Sequence, residues 1–389
     1  MRRDPTTPQT VSDDHAMLKL GARAALRGFG EVEPNPMVGC VIGHPGPSGV
    51  EVLAVGRHRR FGGLHAEADA LAICRDRGLD PRGATAWVTL EPCNHQGKQP
   101  PCVNALIEAG IARVVYAASD PNPLALGGAD ALRQAGVEVV LLEGCREAEG
   151  VSAPFRKRVA TGLPWVIAKW AQTIDGCIAT ASGDSKWISS EASRRDVHRL
   201  RAKVDVLLTG IGTVLADDPK LTARGVKTRR IARRVVIDPK GRLPLDCRLV
   251  ETVQGGAPLT VVVTDRVVQT NAAWYRTLVE RGVDIVAFGG VDGGGHIDLA
   301  ELLRWLVRER NCSTVMVEAG PRLLGSLMRA GLPDQLWVYL APKLLGDQAA
   351  RHAVDAKSAE AMSQAERYSL RHTKRIDEDL RIIYERRDS

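Results

Sequence analysis

An α/β chain of two layered domains is what this sequence predicts, and three observations predict it. Short β-branched apolar runs alternate with helical stretches of about ten residues along the whole length. The 389 residues exceed one ordinary core, for which ~100–200 residues is usual. The alternation pauses over 150–164, at a basic run followed by Gly162 and Pro164, and restarts at Trp165. Domains of 1–150 and 151–389 are therefore expected, with the linker at about 150–164.

After a polar, Pro/Thr-rich start over 1–14, a helix is expected over 13–28. Aspartates offer its N-cap, Met17, Leu18, Ala22, Ala25 and Leu26 recur at helical spacing, and Gly28 ends it. Strands follow at 38–42 and 52–55, then an Ala/Leu/Ile helix at 65–75. A strand at 85–90, a helix at 103–109 closed by Gly110 and a strand at 113–117 come next. A short helix at 129–135 and a strand at 137–142 complete the first half. The second half reads as strands at 165–168, 204–209, 234–238, 259–264, 283–288 and 314–318, with 289–295 a Gly-rich surface loop.

Composition narrows the class. Hydrophobic residues are 44% and aromatics only 4%, so the cores must be built from Ala, Val, Leu and Ile. The formal charge of +7 is spread over short, interrupted clusters (57–60, 156–158 and 227–234). That pattern suits a solvated surface with a few arginines for phosphorylated small molecules, not a nucleic-acid footprint. No run of ~18 apolar residues and no signal-type apolar core occurs, so neither a membrane span nor secretion is indicated and a cytoplasmic protein is expected. Eight cysteines are scattered along the chain, and in that compartment cysteines near a histidine read as metal ligands before disulfides.

The strongest chemical signal is His65-Ala66-Glu67, followed by Glu91-Pro92-Cys93 and then Cys102. One imidazole and two thiolates can hold Zn²⁺ with three protein ligands, leaving a fourth position for water. Such a zinc lowers the pKa of that water to about 7. Deamination also needs a proton delivered to the leaving amine, and a carboxylate beside the metal can serve both transfers. Glu67 is that candidate. Residues two apart on a helix share no side face, so His65 and Glu67 can address one metal only off the helix N-terminus. A closed structural site is the alternative, with His95 or Cys74 as fourth ligand. Against it stands Glu67, for which such a site has no use. Asn35, in a Pro-flanked turn, reads by itself as a turn residue.

The arrangement resembles the zinc nucleoside and nucleobase deaminases, whose signature is H-x-E with P-C-x-x-C. Here eight residues, not two, separate the cysteines. The run Thr89-Leu90-Glu91-Pro92-Cys93-Asn94-His95-Gln96-Gly97-Lys98-Gln99-Pro100-Pro101-Cys102 resembles the deaminase half of the bifunctional deaminase/reductase family of riboflavin biosynthesis. So do Pro34-Asn35-Pro36-Met37-Val38-Gly39, the stretches 56–58 and 62–67, and Asp120-Pro121-Asn122-Pro123. The resemblance implies a cytidine-deaminase-like three-layer fold, Zn²⁺ on His65, Cys93 and Cys102, catalysis by Glu67, and Asn35 bonded to the pyrimidine. His58 and His95 become possible substrate contacts.

No G-x-G-x-x-G occurs in the second half, so a Rossmann site is unsupported. Residues 315–326 read as a strand, a glycine turn and a helix start, which is either a phosphate-binding turn or a plain connection. Here too the same family is resembled: Lys169 to Gly176, Gly183 to Ile188, Leu200-Arg201-Ala202, Gly212 to Arg224, Glu318-Ala319-Gly320 and Ala341 to Gly346 are similar to its reductase half. That implies a dihydrofolate-reductase-like fold and NADPH. Gln172, Trp187, Thr213, Asp217 and the turn Gly320, Pro321, Arg322, Leu323, Leu324, Gly325 and Ser326 fall at cofactor positions. Lys169, Ser185, Arg201, Leu221, Arg224 and Glu318 fall at substrate positions, where arginine forks suit a phosphate dianion. Departures are conservative: Thr173-Ile174-Asp175-Gly176 for Ser-Leu-Asp-Gly, Gly97-Lys98-Gln99 for Gly-Arg-Thr, and the stretch 151–154 without the usual Asn.

The expected function is riboflavin biosynthesis in two steps on a phosphorylated pyrimidine, by a homo-oligomer with no membrane or nucleic-acid partner. The pyrimidine of 2,5-diamino-6-ribosylamino-4(3H)-pyrimidinone 5′-phosphate is deaminated, and its ribosyl group is then reduced to ribityl by NADPH. Two rivals remain: a zinc-dependent RNA-base deaminase with a C-terminal binding domain, and a non-catalytic zinc scaffold. The first predicts steep salt dependence but lacks aromatic-rich basic stretches.

Overall fold

A computed structural model describes residues 10–96, 99–123, 127–289, 296–355 and 361–387; of the expected loop at 289–295, all but Gly289 lies outside them. The chain forms two compact units, Met1–Gly162 and Leu163–Ser389.

The first unit runs α1 (Thr10–Ala25), β1 (Gly39–Gly46), β2 (Gly49–Arg57), α2 (Ala66–Asp76), β3 (Thr85–Val88), α3 (Cys102–Glu108), β4 (Arg113–Tyr116), α4 (Gly128–Gln134), β5 (Glu138–Leu141) and α5 (Arg146–Thr161). Its five strands take the order β2-β1-β3-β4-β5, with β1 antiparallel to both neighbours and β3 to β5 parallel. Successive side chains of a strand face opposite ways. Ile42, Val88 and Val114 accordingly join a core with α2, α3 and α4, while Val41, Trp87 and Val115 join another with α1 and α5. The result is three layers. A Cβ on Gly39 would stand 2.0 Å from the Gly21 carbonyl oxygen, which is why α1 lies so close to β1.

The stretch expected to be a linker is mostly helix. Ala148, Val151 and Ser152 are buried along α5, Pro154 is accommodated within it, and Gly162 ends it at φ 67°. The units part at Gly162 and Leu163, late in the expected range.

The second unit contains β6 (Trp165–Gln172), β7 (Cys177–Ala179), α6 (Glu191–Arg201), β8 (Val206–Gly210), α7 (Ile211–Asp217), β9 (Arg233–Ile237), α8 (Arg248–Glu251), β10 (Leu259–Thr264), α9 (Asp265–Thr270), α10 (Ala272–Glu280), β11 (Asp284–Phe288), α11 (Leu299–Arg310), β12 (Thr314–Val317), α12 (Pro321–Arg329), β13 (Gln335–Leu340), β14 (Arg351–His352), β15 (Tyr368–Ile376) and β16 (Asp379–Arg386). Nine strands form one sheet in the order β11-β10-β9-β8-β12-β6-β13-β16-β15. It is parallel from β11 to β13 and closes with an antiparallel hairpin. The neighbours β8, β12 and β6 bring their carboxyl ends together, where open α/β sheets place ligands.

Candidate active site

Two helix N-termini converge in the first unit. His65 is the N-cap of α2, and its side chain caps nothing. Cys102 opens α3, and Val103 N donates to Cys93 O, which docks the loop after β3 beside it. His65 Nδ1 lies 3.5 Å from Cys93 Sγ and 3.3 Å from Cys102 Sγ. Zinc bonds of about 2.3 Å to sulfur and 2.0–2.1 Å to nitrogen put tetrahedral N···S edges at about 3.6 Å, so the donor set fits zinc. The hydrogen bond from Cys102 holds the Cys93 thiol well below the usual thiol range, and the same bond holds the Cys102 proton in place. Among the described residues no fourth His, Cys, Asp or Glu joins the cluster, so neither His95 nor Cys74 closes it.

Glu67 sits in the first turn of α2, 3% exposed. Burial, then the negative charge of Cys93, push its carboxyl up to about 7. It shares a cavity with Asn35, His58, His65, Cys93, His95 and Asp120. Within it, His58 Nδ1 lies 2.8 Å from Leu64 O, which can only accept, so that nitrogen carries the proton. Burial lowers the His58 pKa, keeping the ring neutral. Its Nε2 therefore accepts from Asn35 Nδ2 at 3.3 Å, which leaves Asn35 Oδ1 as an acceptor for another donor.

The Cys93 loop is held from behind. Buried Glu91 accepts from Ala129 N at 3.0 Å and from Asp120 N at 3.4 Å. A Cβ on Gly128 would lie 1.9 Å from Pro92 O. Gly128→Ala should thus push the loop off α4, destabilise the unit by about 1–3 kcal/mol and weaken zinc retention. Denaturant midpoints and chelator competition measure both; native values would show that the loop gives way freely.

In the second unit, Glu318 follows β12 and takes the fork of Arg201, Nε to Oε1 at 2.5 Å and Nη2 to Oε2 at 2.9 Å. Lys169 Nζ lies 3.7 Å from Oε2. Burial opposes ionisation of Glu318, but the Arg201 and Lys169 charges and the Arg201 hydrogen bonds hold its pKa at about 2. Arg201 Nη1 donates to Thr222 O at 3.3 Å, so three of its five N–H donors are engaged and its carboxylate-facing fork is taken by Glu318. Arg224 is exposed beside them. Burial, Arg201 and Arg224 together push His198 down to about 4, the mark of a cationic pocket.

The other expected positions fall on several elements and loops of the same unit. Helices α7 and α12 leave the adjacent strands β8 and β12 with glycine N-caps, Gly210 and Gly320, and no side-chain cap. Thr213 Oγ1 is 4.0 Å from where a Gly320 Cβ would stand. Uncapped first-turn N–H groups on the nine-residue α12 fit a cofactor's phosphates. Gln172 ends β6 and accepts from Trp170 Nε1. Trp187 is 61% exposed under the Arg194 guanidinium, and Lys343 Nζ donates to its carbonyl. Lys186 Nζ reaches Asp217 at 3.4 Å. Ser185 is half-buried. Leu324 and Gly325 lie in the core, so any cofactor contact there is through backbone. Leu221 is 3% exposed and is limited in the same way. No sequence signal marked the contacts made by His198, Lys343, Arg194 or Glu91.

Comparison with known proteins finds a match for each unit. Residues 11–118 match the cytidine and deoxycytidylate deaminase zinc-binding region, and 164–382 match the RibD C-terminal domain. The riboflavin biosynthesis protein RibD of Actinobacillus pleuropneumoniae is 39% identical over 98% of this chain and 97% of its own. That of Escherichia coli K12 is 37% identical over 95% and 98%. The solved RibD of Acinetobacter baumannii superposes with a TM-score of 0.78 at 35% identity, covering 97% of this chain and all of its own. A diaminohydroxyphosphoribosylaminopyrimidine deaminase/5-amino-6-(5-phosphoribosylamino)uracil reductase of Thermotoga maritima does so at 0.78 and 32%, over 97% and 99%. The first unit has the expected cytidine-deaminase-like fold and the second the expected dihydrofolate-reductase-like one. With both halves matched along nearly their whole length, the chain belongs to the RibD family of riboflavin biosynthesis proteins.

Proposed function

We propose that this bifunctional deaminase and reductase performs two consecutive steps on one phosphorylated pyrimidine. It first deaminates 2,5-diamino-6-ribosylamino-4(3H)-pyrimidinone 5′-phosphate, then reduces the ribosyl group to ribityl. The observation that carries the reading is the three-donor cluster with buried Glu67 beside it in one cavity. His65, Cys93 and Cys102 would hold zinc, which when bound activates water at neutral pH. Glu67 takes a proton from the attacking water and returns one to the departing amine. Asn35, oriented by His58, accepts from the pyrimidine edge.

In the second unit Gln172, Trp187, Thr213, Asp217 and the turn from Gly320 to Ser326 hold the cofactor, the turn by backbone N–H groups. NADPH when bound supplies the hydride. Lys169, Ser185 and the backbone at Leu221 border the substrate. Arg201 and Glu318 form the wall against which it lies, and Arg224 meets its phosphate because the Arg201 fork is occupied. The domains of 1–150 and 151–389 thus map onto the two steps, with the boundary shifted toward Gly162.

The same reading makes the enzyme a cytoplasmic homo-oligomer independent of nucleic acid. No described helix is long and apolar enough to cross a membrane. The rival with an RNA-binding second half loses its ground, since 164–382 match a RibD domain. Chelation tests the whole: ammonia release should fall to background and return with Zn²⁺, while NADPH oxidation on the deaminated compound continues. Ammonia release that persists in metal-free protein would sink the deaminase mechanism.

A further inference from the structure

The second unit's candidate site leans on the segment 217–224, where Asp218 and Leu221 hold left-handed backbone at φ 40° and 47°. Non-glycine residues stay there only when their surroundings enforce it. Three contacts do so. Arg248 N donates to Asp218 Oδ1 at 2.8 Å, Arg201 Nη1 to Thr222 O at 3.3 Å, and Arg234 Nη1 to Lys220 O at 3.2 Å.

Arg234 is the unusual member. It lies on β9 with 0% exposure, beside Val235 and Val236, which are equally buried. Its Nη1 also donates to Thr252 Oγ1 at 2.6 Å, its Nη2 donates to Ala257 O, and its Nε has no partner. All these acceptors are neutral oxygens. Burial lowers its pKa to about 10, which still leaves it charged. A buried cation without a carboxylate is a costly way to fill a core. What the guanidinium offers, and an aliphatic side chain cannot, is a rigid fan of donors that ties 220, 252 and 257 to one strand.

Resting on the two-step reading above, we infer that Arg234 is a positioning residue of the reductase site. It fixes the Lys220 carbonyl and so sets Leu221 and Arg224 against the Arg201–Glu318 pair, without itself touching substrate.

Full-length Arg234→Met, Arg234→Lys and Thr252→Val, each beside the native chain, test this. Ammonia release and NADPH oxidation on the deaminated phosphorylated pyrimidine are followed together. In Arg234→Met the KM for that compound should rise about tenfold or more, with a smaller fall in kcat and unchanged ammonia release. Arg234→Lys, which keeps a donor for Lys220 O, should recover part of the loss. Thr252→Val, which leaves the Lys220 contact intact, should keep the native KM. A merely structural role predicts a lower active fraction, hence lower kcat at native KM, and that result overturns the inference. If Arg234→Met does not fold, Arg234→Lys decides: one ammonium cannot replace the two Nη arms, so its KM should still be raised severalfold, and a native KM with a lowered active fraction is equally fatal. A native chain that oxidises no NADPH would instead sink the two-step reading and this inference with it.

Discussion

Replacing Glu67 by glutamine should slow ammonia release by about 10²–10⁴-fold while zinc content, fold and NADPH oxidation stay native. The reasoning separates shape from charge. Glu67 is 3% exposed in the first turn of α2, so truncation would open a hole, but glutamine keeps the volume. Burial is the largest influence on this carboxyl and it disfavours the ionised form. A neutral amide removes that cost, so thermal stability should hold or rise slightly. What glutamine cannot do is accept a proton from water and pass it to an amine. The coupled measurement is ammonia release, metal analysis and a melting curve on one preparation. Native turnover in this variant would mean that the protons travel without Glu67. A zinc scaffold, by contrast, would show no activity in either form.

The first site was legible because ligand chemistry restricts both residue type and placement. His65, Cys93 and Cys102 had to sit at element ends, and they do, as N-cap, loop and helix start. Buried parallel strands such as β10 and β12 were equally plain, since burial on both faces demands continuous apolar runs. Three features stayed hidden for physical reasons. Helix α5 carries a proline and a basic run, so local composition reads as a break, while its burial against α1 is tertiary. Strand β15 is an exposed edge rich in Arg, His and Lys, with little apolar alternation to announce it. Arg234 closes a basic cluster that reads as solvated surface, yet it is fully buried, because its acceptors come from 220, 252 and 257. The Arg201–Glu318 pairing joins residues 117 apart, so local sequence does not announce it either.

That pair yields the other large expected effect. Glu318→Gln should leave the Arg201 and Lys169 charges buried without a carboxylate and destabilise the second unit by about 3–5 kcal/mol. NADPH oxidation should fall by about 10²-fold as the substrate wall loosens. Ammonia release from the first unit is the internal control and should not change. The pH dependence identifies the cause. Glu318 has its pKa lowered from 4.5 to about 2 in the folded chain. A carboxyl lowered in this way stabilises the fold fully above its unfolded value, and the contribution is lost as pH falls through the folded value. Its size is on the order of 3 kcal/mol at neutral pH. The gap in stability between native and variant chains should therefore be widest above about pH 4.5 and close as pH drops toward 2. Urea midpoints of the second unit across that range read it directly. A gap that stays constant down to pH 2 would place the loss in packing and not in the charge of Glu318. Lys169 should feel the loss most directly, because burial already lowers its pKa and the Glu318 charge is what favours its proton.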